Sequence, residues 1–338
     1  ETPRAISGAP RIAPDWGLPL VLPASLALAL HGARHSGLRK LGWSRRSIRG
    51  HPVRPMPTRC PAAAAASGDL ATLPVFCFDF DGVIGDSVDE SSATAWRHAK
   101  KLWPQLDLGA SPEAFLGPMR EVRPVVETGW ENTVLIRVLS ESGDLSRGCS
   151  DVIARVLKDW EAIRADAVER WGLDRDDMIR EFGEVRDIWL DKDLDGWLGQ
   201  NRAYAGVAEC LGAMLAAGAD VFVITTKQRR FCAALLKDFG LDLPDDRLFG
   251  LEDGPKTGVL RDLLARPELS GRRFHFVEDK LSTLCKVAAE KDLSEVQLHL
   301  ADWGYNTAED RAFAAGGMGG RLSLIGIAEL QSLGAANP

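Results

Sequence analysis

Cysteine is sparse in this 338-residue chain, and its six copies are scattered: Cys60, Cys77, Cys149, Cys210, Cys232 and Cys285. None forms a CxxC pair, and none is matched to histidines at metal-ligand spacing. That excludes a zinc site or a disulfide framework and leaves reduced core thiols. The chain has no internal repeat and no apolar run fit to cross a bilayer. The best stretch, LPLVLPASLALAL at residues 18–30, is too short and is interrupted by proline. Acidic residues are nearly missing from residues 1–68, where nine arginines and Lys40 face only Glu1 and Asp15, a net of +8. An Arg- and Ser-bearing, acid-poor leader reads as an organelle transit peptide, chloroplast first and mitochondrion second. A disordered tail of biased composition is the alternative. A secretory signal is disfavoured, because some thirty further Arg-rich residues follow the apolar stretch. The rest of the chain carries −15 of an overall −7, which argues against nucleic acid as the main partner.

What is present after residue 68 is an ordinary globular composition, with 45% apolar and 26% charged residues over the whole chain. PVFCFDF (74–80) is a near-continuous apolar run suited to a parallel strand buried on both faces. ADVFVITT (219–226) and RFHFVED (273–279) have the same character, and VQLHLAD (296–302) and GRLSLI (320–325) are shorter versions. Helical periodicity fills 206–217, 228–239, 256–265, 281–291 and 307–315. Alternating strand and helix implies an α/β fold with a doubly wound parallel sheet.

Between the first strand and the rest lie some 125 residues without a strand pattern. Helical periodicity appears there at 89–103, 131–142, 150–171 and 175–191, with Ser150 and Asp174 as expected N-caps. Gly and Pro in GASPEAFLGP (109–118) mark a join. The expected organisation is a leader over 1–68, a core from 69–87 and 206–338, and a helical insert over 88–205. Tryptophans crowd the insert, mostly as packing for its helices.

In an open parallel sheet, ligands gather outside the carboxyl ends of the strands. Asp79 and Asp81 follow the first strand, Thr225 and Thr226 the second, and Glu278 and Asp279 a third. Lys256 opens the helix leading to that third strand. Asp79 with Asp279 or Glu278 supplies hard oxygen ligands of the kind Mg²⁺ prefers. A metal-neutralised aspartate can attack phosphorus, and a second carboxyl two residues on can move the proton. The Thr225 hydroxyl, backbone N–H groups and Lys256 suit the charge on a phosphoryl group. Lys227 also follows the second strand and is expected to be a solvated or structural lysine.

DFDGVIGDS, VITTK, the lysine of GPKTG and FVEDK together resemble the four ordered motifs of the haloacid dehalogenase superfamily. The helical insert resembles the cap of its phosphatase branch, and with the leader the likeness is to a plant or algal plastid-type member. The resemblance covers residues 75 to about 290. It implies a Rossmann-like core with an all-α cap, Asp79 as nucleophile and Mg²⁺ ligand, and Asp81 as acid and base with its carbonyl on the metal. It further implies Thr225 and the amide of Thr226 as phosphoryl binders, Lys256 as the charge-balancing lysine, and Asp279 as the remaining metal carboxylate. The fourth motif departs from the common Gly-Asp form, and its Glu278–Asp279 pair resembles the family's double-acid variant. The implied function is a Mg²⁺-dependent phosphatase acting on a small phosphorylated metabolite. A phosphomutase and a non-catalytic scaffold are the alternatives. Arg123, in a stretch broken by Pro124 and Gly129, is the candidate for meeting a second anionic group of the substrate; a solvated helix charge is the competing reading.

Overall fold

The structure is a computed structural model that describes residues 73–141 and 149–335. The expected leader, residues 1–68, lies outside the described residues.

Six strands form one all-parallel sheet in the order β5-β4-β1-β6-β7-β8. They are β1 (Val75–Phe78), β4 (Asp220–Ile224), β5 (Leu248–Phe249), β6 (Phe274–Glu278), β7 (Val296–Ala301) and β8 (Leu322–Ile325). β1 is central, with Val75 level with Asp220 on one side and with Phe274 on the other. Its side chains alternate between two cores, as the period of a strand requires. Phe76, Phe78 and Phe80 enter the core built with Val207, Leu211, Phe231 and Leu235. Val75 and Cys77 enter the opposite one, with Val259, Leu263, Leu284 and Val287. Helices therefore cover both faces: α7 (Val207–Ala216), α8 (Arg229–Asp238) and α12 (Ile327–Ala335) on the first, and α9 (Lys256–Leu264), α10 (Leu281–Ala289) and α11 (Ala308–Ala315) on the second. Burying each of those phenylalanines fully contributes about 1.5–3 kcal/mol, which explains why an uninterrupted apolar run sits here. From β1 the chain winds outward to β4 and β5, then returns to build β6, β7 and β8 on the other side. β1 is thus the switch point at which such sheets open a ligand crevice.

The helical insert leaves and re-enters the core through a two-stranded antiparallel ribbon, β2 (Gly85–Asp86) against β3 (Arg202–Ala203). The sequence pattern hides β3, because two residues are too few to show alternation. The insert itself comprises α1 (Val88–Leu102), α2 (Glu113–Val122), α3 (Glu131–Glu141), α4 (Ser150–Trp171), α5 (Arg175–Lys192) and α6 (Leu194–Leu198). Its core is separate from those of the sheet and holds Trp103, Trp130 and Trp160 among aliphatic neighbours. Trp197 instead belongs to the sheet-side core, fully buried. The Asp174 side chain caps α5 by accepting from the Asp176 and Asp177 amides. Ser150 is the first residue of α4 and provides no side-chain cap, which falls to none at Cys149 either. The expected join at 109–118 is also shorter than its Gly and Pro suggest. α2 begins at Glu113 and carries Pro118 within it, its apolar face held by buried Phe115, Met119 and Val122. Tertiary burial has overridden the local signal.

Candidate active site

The carboxyl ends of β1, β4 and β6 deliver their polar residues to one cavity of about 410 Å³ between sheet and insert, lined by Asp79, Asp81, Arg123, Thr226, Lys256 and Asp279 among others. Asp79 follows β1 directly and is 5% exposed; Glu278 ends β6, and Glu278 and Asp279 are almost wholly buried. Oxygen atoms of these three carboxylates lie within 4.8 Å of one another. Lys256 stands among them, 2.9 Å from Asp79 Oδ1 and donating to Glu278 Oε2 at 2.6 Å. Asp79 Oδ1 nevertheless accepts no aligned hydrogen bond.

Three buried anions share one cation in direct contact, Lys256, with Lys280 and Arg123 acting on Asp279 from farther off, and the ionisation of the cluster reflects that incomplete compensation. Burial, incompletely offset by Lys256, pushes Asp79 up to about 7 and Glu278 likewise to about 7. Burial also raises Asp279, against the pull of Lys280. Lys256 moves the opposite way: burial alone would lower it, but Asp79 and Glu278 outweigh that and hold the ammonium well above its ordinary range. Hard oxygen donors crowded together and excess buried negative charge are what a small divalent cation would resolve. The residues present therefore fit Mg²⁺.

Asp81 belongs to a different circuit. Its carboxylate accepts from the Ser87 hydroxyl and lies 3.1 Å from the Lys227 ammonium. Burial would raise it, but Lys227, Arg123 and Ser87 together hold it below the usual carboxylate range. Two aspartates one residue apart thus differ in ionisation because their side chains point into differently charged surroundings. The turn that follows them depends on Gly82, whose φ is +86° and where a Cβ would fall 2.3 Å from Asp279 Oδ2.

Thr226 lines the cavity and donates its hydroxyl to the Glu127 carbonyl at 3.0 Å. Thr225 is buried, and its Oγ1 accepts from the Lys227 amide at 3.1 Å, so it shapes the loop beneath the cavity. Of the two readings of Lys227, solvated or structural, the solvated one is excluded: it is 4% exposed and sits between Asp81 and Glu90. Arg123 is no solvated helix charge either. It occupies a 3₁₀ turn at the cavity wall, stacks 4.2 Å from the centre of the Tyr305 ring and leaves its buried Nε without a partner.

Several residues of the site escaped the sequence reading. Tyr305 donates its amide to Asp279 Oδ2 at 3.0 Å and its hydroxyl to Asp86 Oδ1 at 2.7 Å. Lys280 donates to the carbonyls of Arg123, Pro124 and Tyr305, pinning the Arg123 turn onto the core. Burial lowers that lysine to about 8, partly countered by Asp279. Glu90 and Arg186, both from the insert, are buried against the site. Only the run FVEDK could have pointed to Lys280; the others carry no motif.

No protein-family model matches the chain, and no curated protein matches it. Solved structures of similar fold include a protein predicted to be a phosphatase from Clostridium acetobutylicum, at 16% identity and TM-score 0.45, over 77% of this chain and 97% of that one. A haloacid dehalogenase-like family hydrolase from Streptococcus pneumoniae aligns at 13% identity and TM-score 0.43, over 77% and 97% respectively. A protein assigned as a β-phosphoglucomutase from Thermotoga maritima aligns at 13% and 0.43, over 77% and 98%. At identities and TM-scores this low, the reading of the site rests on its own geometry.

Proposed function

We propose that the chain is a Mg²⁺-dependent phosphatase that hydrolyses a small phosphorylated metabolite through an aspartyl-phosphate. The observation that carries the reading is the pairing of two circuits at one sheet edge. Asp79 stands with Glu278, Asp279 and Lys256, and Asp81 stands apart with Lys227 and Ser87. A nucleophile and a proton carrier need this kind of separation.

Asp79, Glu278 and Asp279 would hold the cation, which when bound withdraws charge from the phosphoryl oxygens and from Asp79. The Asp79 carboxylate attacks phosphorus; an O–P bond forms as the bond to the leaving oxygen breaks. Lys256 and backbone N–H groups of the Thr225–Thr226 loop offset the charge that spreads over the phosphoryl oxygens. Asp81 gives its proton to the leaving oxygen and later takes one from the water that cleaves the aspartyl-phosphate. In the arrangement described it is held anionic, which is the form of the base, so its acid role requires prior uptake of a proton. On the insert side, Arg123 and Asn132 line the cavity. They offer one cationic donor and one acceptor to a leaving group that carries its own polar or anionic substituent.

The test is a screen of phosphate monoesters with and without Mg²⁺, with Asp79→Asn alongside. Metal-dependent phosphate release that disappears in the variant is expected. Release that survives Asp79→Asn would end the mechanism.

A further inference from the structure

Glu90 is wholly buried, although it sits on α1 in the first turn of the helical insert. Its Oε1 accepts from Arg186 Nε at 2.9 Å, from Trp197 Nε1 at 3.0 Å and from the Thr94 hydroxyl at 2.7 Å. Its Oε2 accepts from Arg186 Nη2 at 2.7 Å and lies 3.7 Å from the Lys227 ammonium. Lys227 in turn reaches Asp81 at 3.1 Å. Two anions, buried Glu90 and half-buried Asp81, thus face two buried cations, Arg186 and Lys227. Glu90, Arg186 and Trp197 come from three different helices of the insert, α1, α5 and α6; Lys227 and Asp81 come from the core.

Packing alone does not explain such a set. The desolvation of buried ion pairs roughly cancels their attraction, and apolar side chains of similar volume would join α1 to α5 equally well. What apolar side chains could not do is fix an ammonium beside Asp81. Lysine has a flexible four-carbon stem and a compact charge, so its head goes where the nearest anions hold it. Glu90 supplies the second anion and is itself immobilised by four hydrogen bonds. Burial would make that carboxyl harder to ionise, but Arg186 and Lys227 outweigh it and keep it charged.

We propose that Glu90 is a positioning residue for the reaction: by holding Lys227 from the insert side, it fixes the ammonium against Asp81 and so sets the geometry of the proton carrier. The inference rests on the phosphatase reading above and deepens it. It makes the insert a working part of the core's chemistry as well as a cover for the cavity.

The test compares Glu90→Gln, Lys227→Met and the double variant in the full chain, with kcat, KM and melting temperature measured for each. Glu90→Gln is expected to lower kcat by about tenfold to a hundredfold, with KM changed less than about threefold. Because Glu90 acts through Lys227, the double variant should lose no more kcat than Lys227→Met alone. Additive losses, or full kcat with only a lowered melting temperature, would overturn the proposal in favour of a purely structural staple. If Glu90→Gln does not fold, Thr94→Val removes one hydrogen bond to Glu90 without touching a charge. It should cost about two- to fivefold in kcat, again without adding to Lys227→Met, and unchanged kcat would count against the idea. If the unsubstituted protein releases no phosphate, the phosphatase reading is what fails. The positioning claim then stands or falls on the crystal structure of Glu90→Gln or Thr94→Val. Lys227 withdrawn from Asp81 supports it, and Lys227 still ion-paired there at the parent's 3.1 Å overturns it.

Discussion

Replacing Lys256 by Met removes the cation in direct contact with Asp79 and Glu278 while keeping most of the stem's volume. The three carboxylates lie within 4.8 Å of one another and are buried, so no solvent takes the place of the ammonium. Breaking a buried pair by removing one partner costs about 3–5 kcal/mol. For a domain of this size each kcal/mol moves the melting temperature by about 2–4 °C, so a fall of roughly 6–20 °C is expected in chelator. Mg²⁺ should reverse much of it. At a hundredfold excess over its dissociation constant a bound ion adds about 2.7 kcal/mol, and with the lysine gone the more negative cluster should bind it more tightly. The assay is thermal unfolding of both proteins in EDTA and across a Mg²⁺ titration. A Lys256→Met protein that melts within about 2 °C of its parent in EDTA, or that gains no more from Mg²⁺ than its parent, would refute the account of three unbalanced carboxylates.

Gly82→Ala places a Cβ 2.3 Å from Asp279 Oδ2 on a backbone at φ +86°; a loss of about 1–3 kcal/mol of stability together with most of the activity is expected, by urea unfolding and phosphate release, and a fully active variant would contradict the close approach. Burial lowers His98, His275 and His299 each to about 4, from an ordinary value of 6.5. The unfolded chain therefore takes up these protons first, and stability should be lost as pH falls from 6.5 towards 4; His98→Gln should flatten that fall in chemical unfolding by up to about 3 kcal/mol, and an unchanged slope would remove His98 from the explanation. Arg123→Met should raise KM for a substrate with a second anionic group by about tenfold while leaving hydrolysis of a simple aryl phosphate nearly unchanged; equal losses on both would make the arginine structural.

The parallel core was legible because strands buried on both faces must be apolar throughout, as VFCF and DVFVI are. The residues at the ends of those strands stood out for the opposite reason: carboxylates are costly there unless used. Asp79, Asp81, Glu278 and Asp279 were found by that contrast, Lys256 by its place at the start of the helix before β6, and all five line one cavity. Glu90, Arg186 and Lys227 were not, because a charged residue in an amphipathic helix or a loop looks the same whether solvated or buried. Only the fold brings positions 90, 186 and 227 together. Tyr305 and the ribbon of β2 and β3 were hidden for related reasons: one is an isolated side chain, the other two residues long.

The central place of β1 has a consequence for how the chain can be made. Both of its partners, β4 and β6, are encoded beyond the entire helical insert. During synthesis the insert can collapse around its own core first, while Val75–Phe78 waits with nothing to pair against. Sheets closed by such distant partners form slowly, and an exposed apolar strand invites aggregation meanwhile. A ribosome-bound fragment that stops before residue 220 should engage chaperones, and one that extends past 278 should release them. The residues that arm the site are then brought together late, because Asp79 meets Glu278 and Asp279 only when β6 docks.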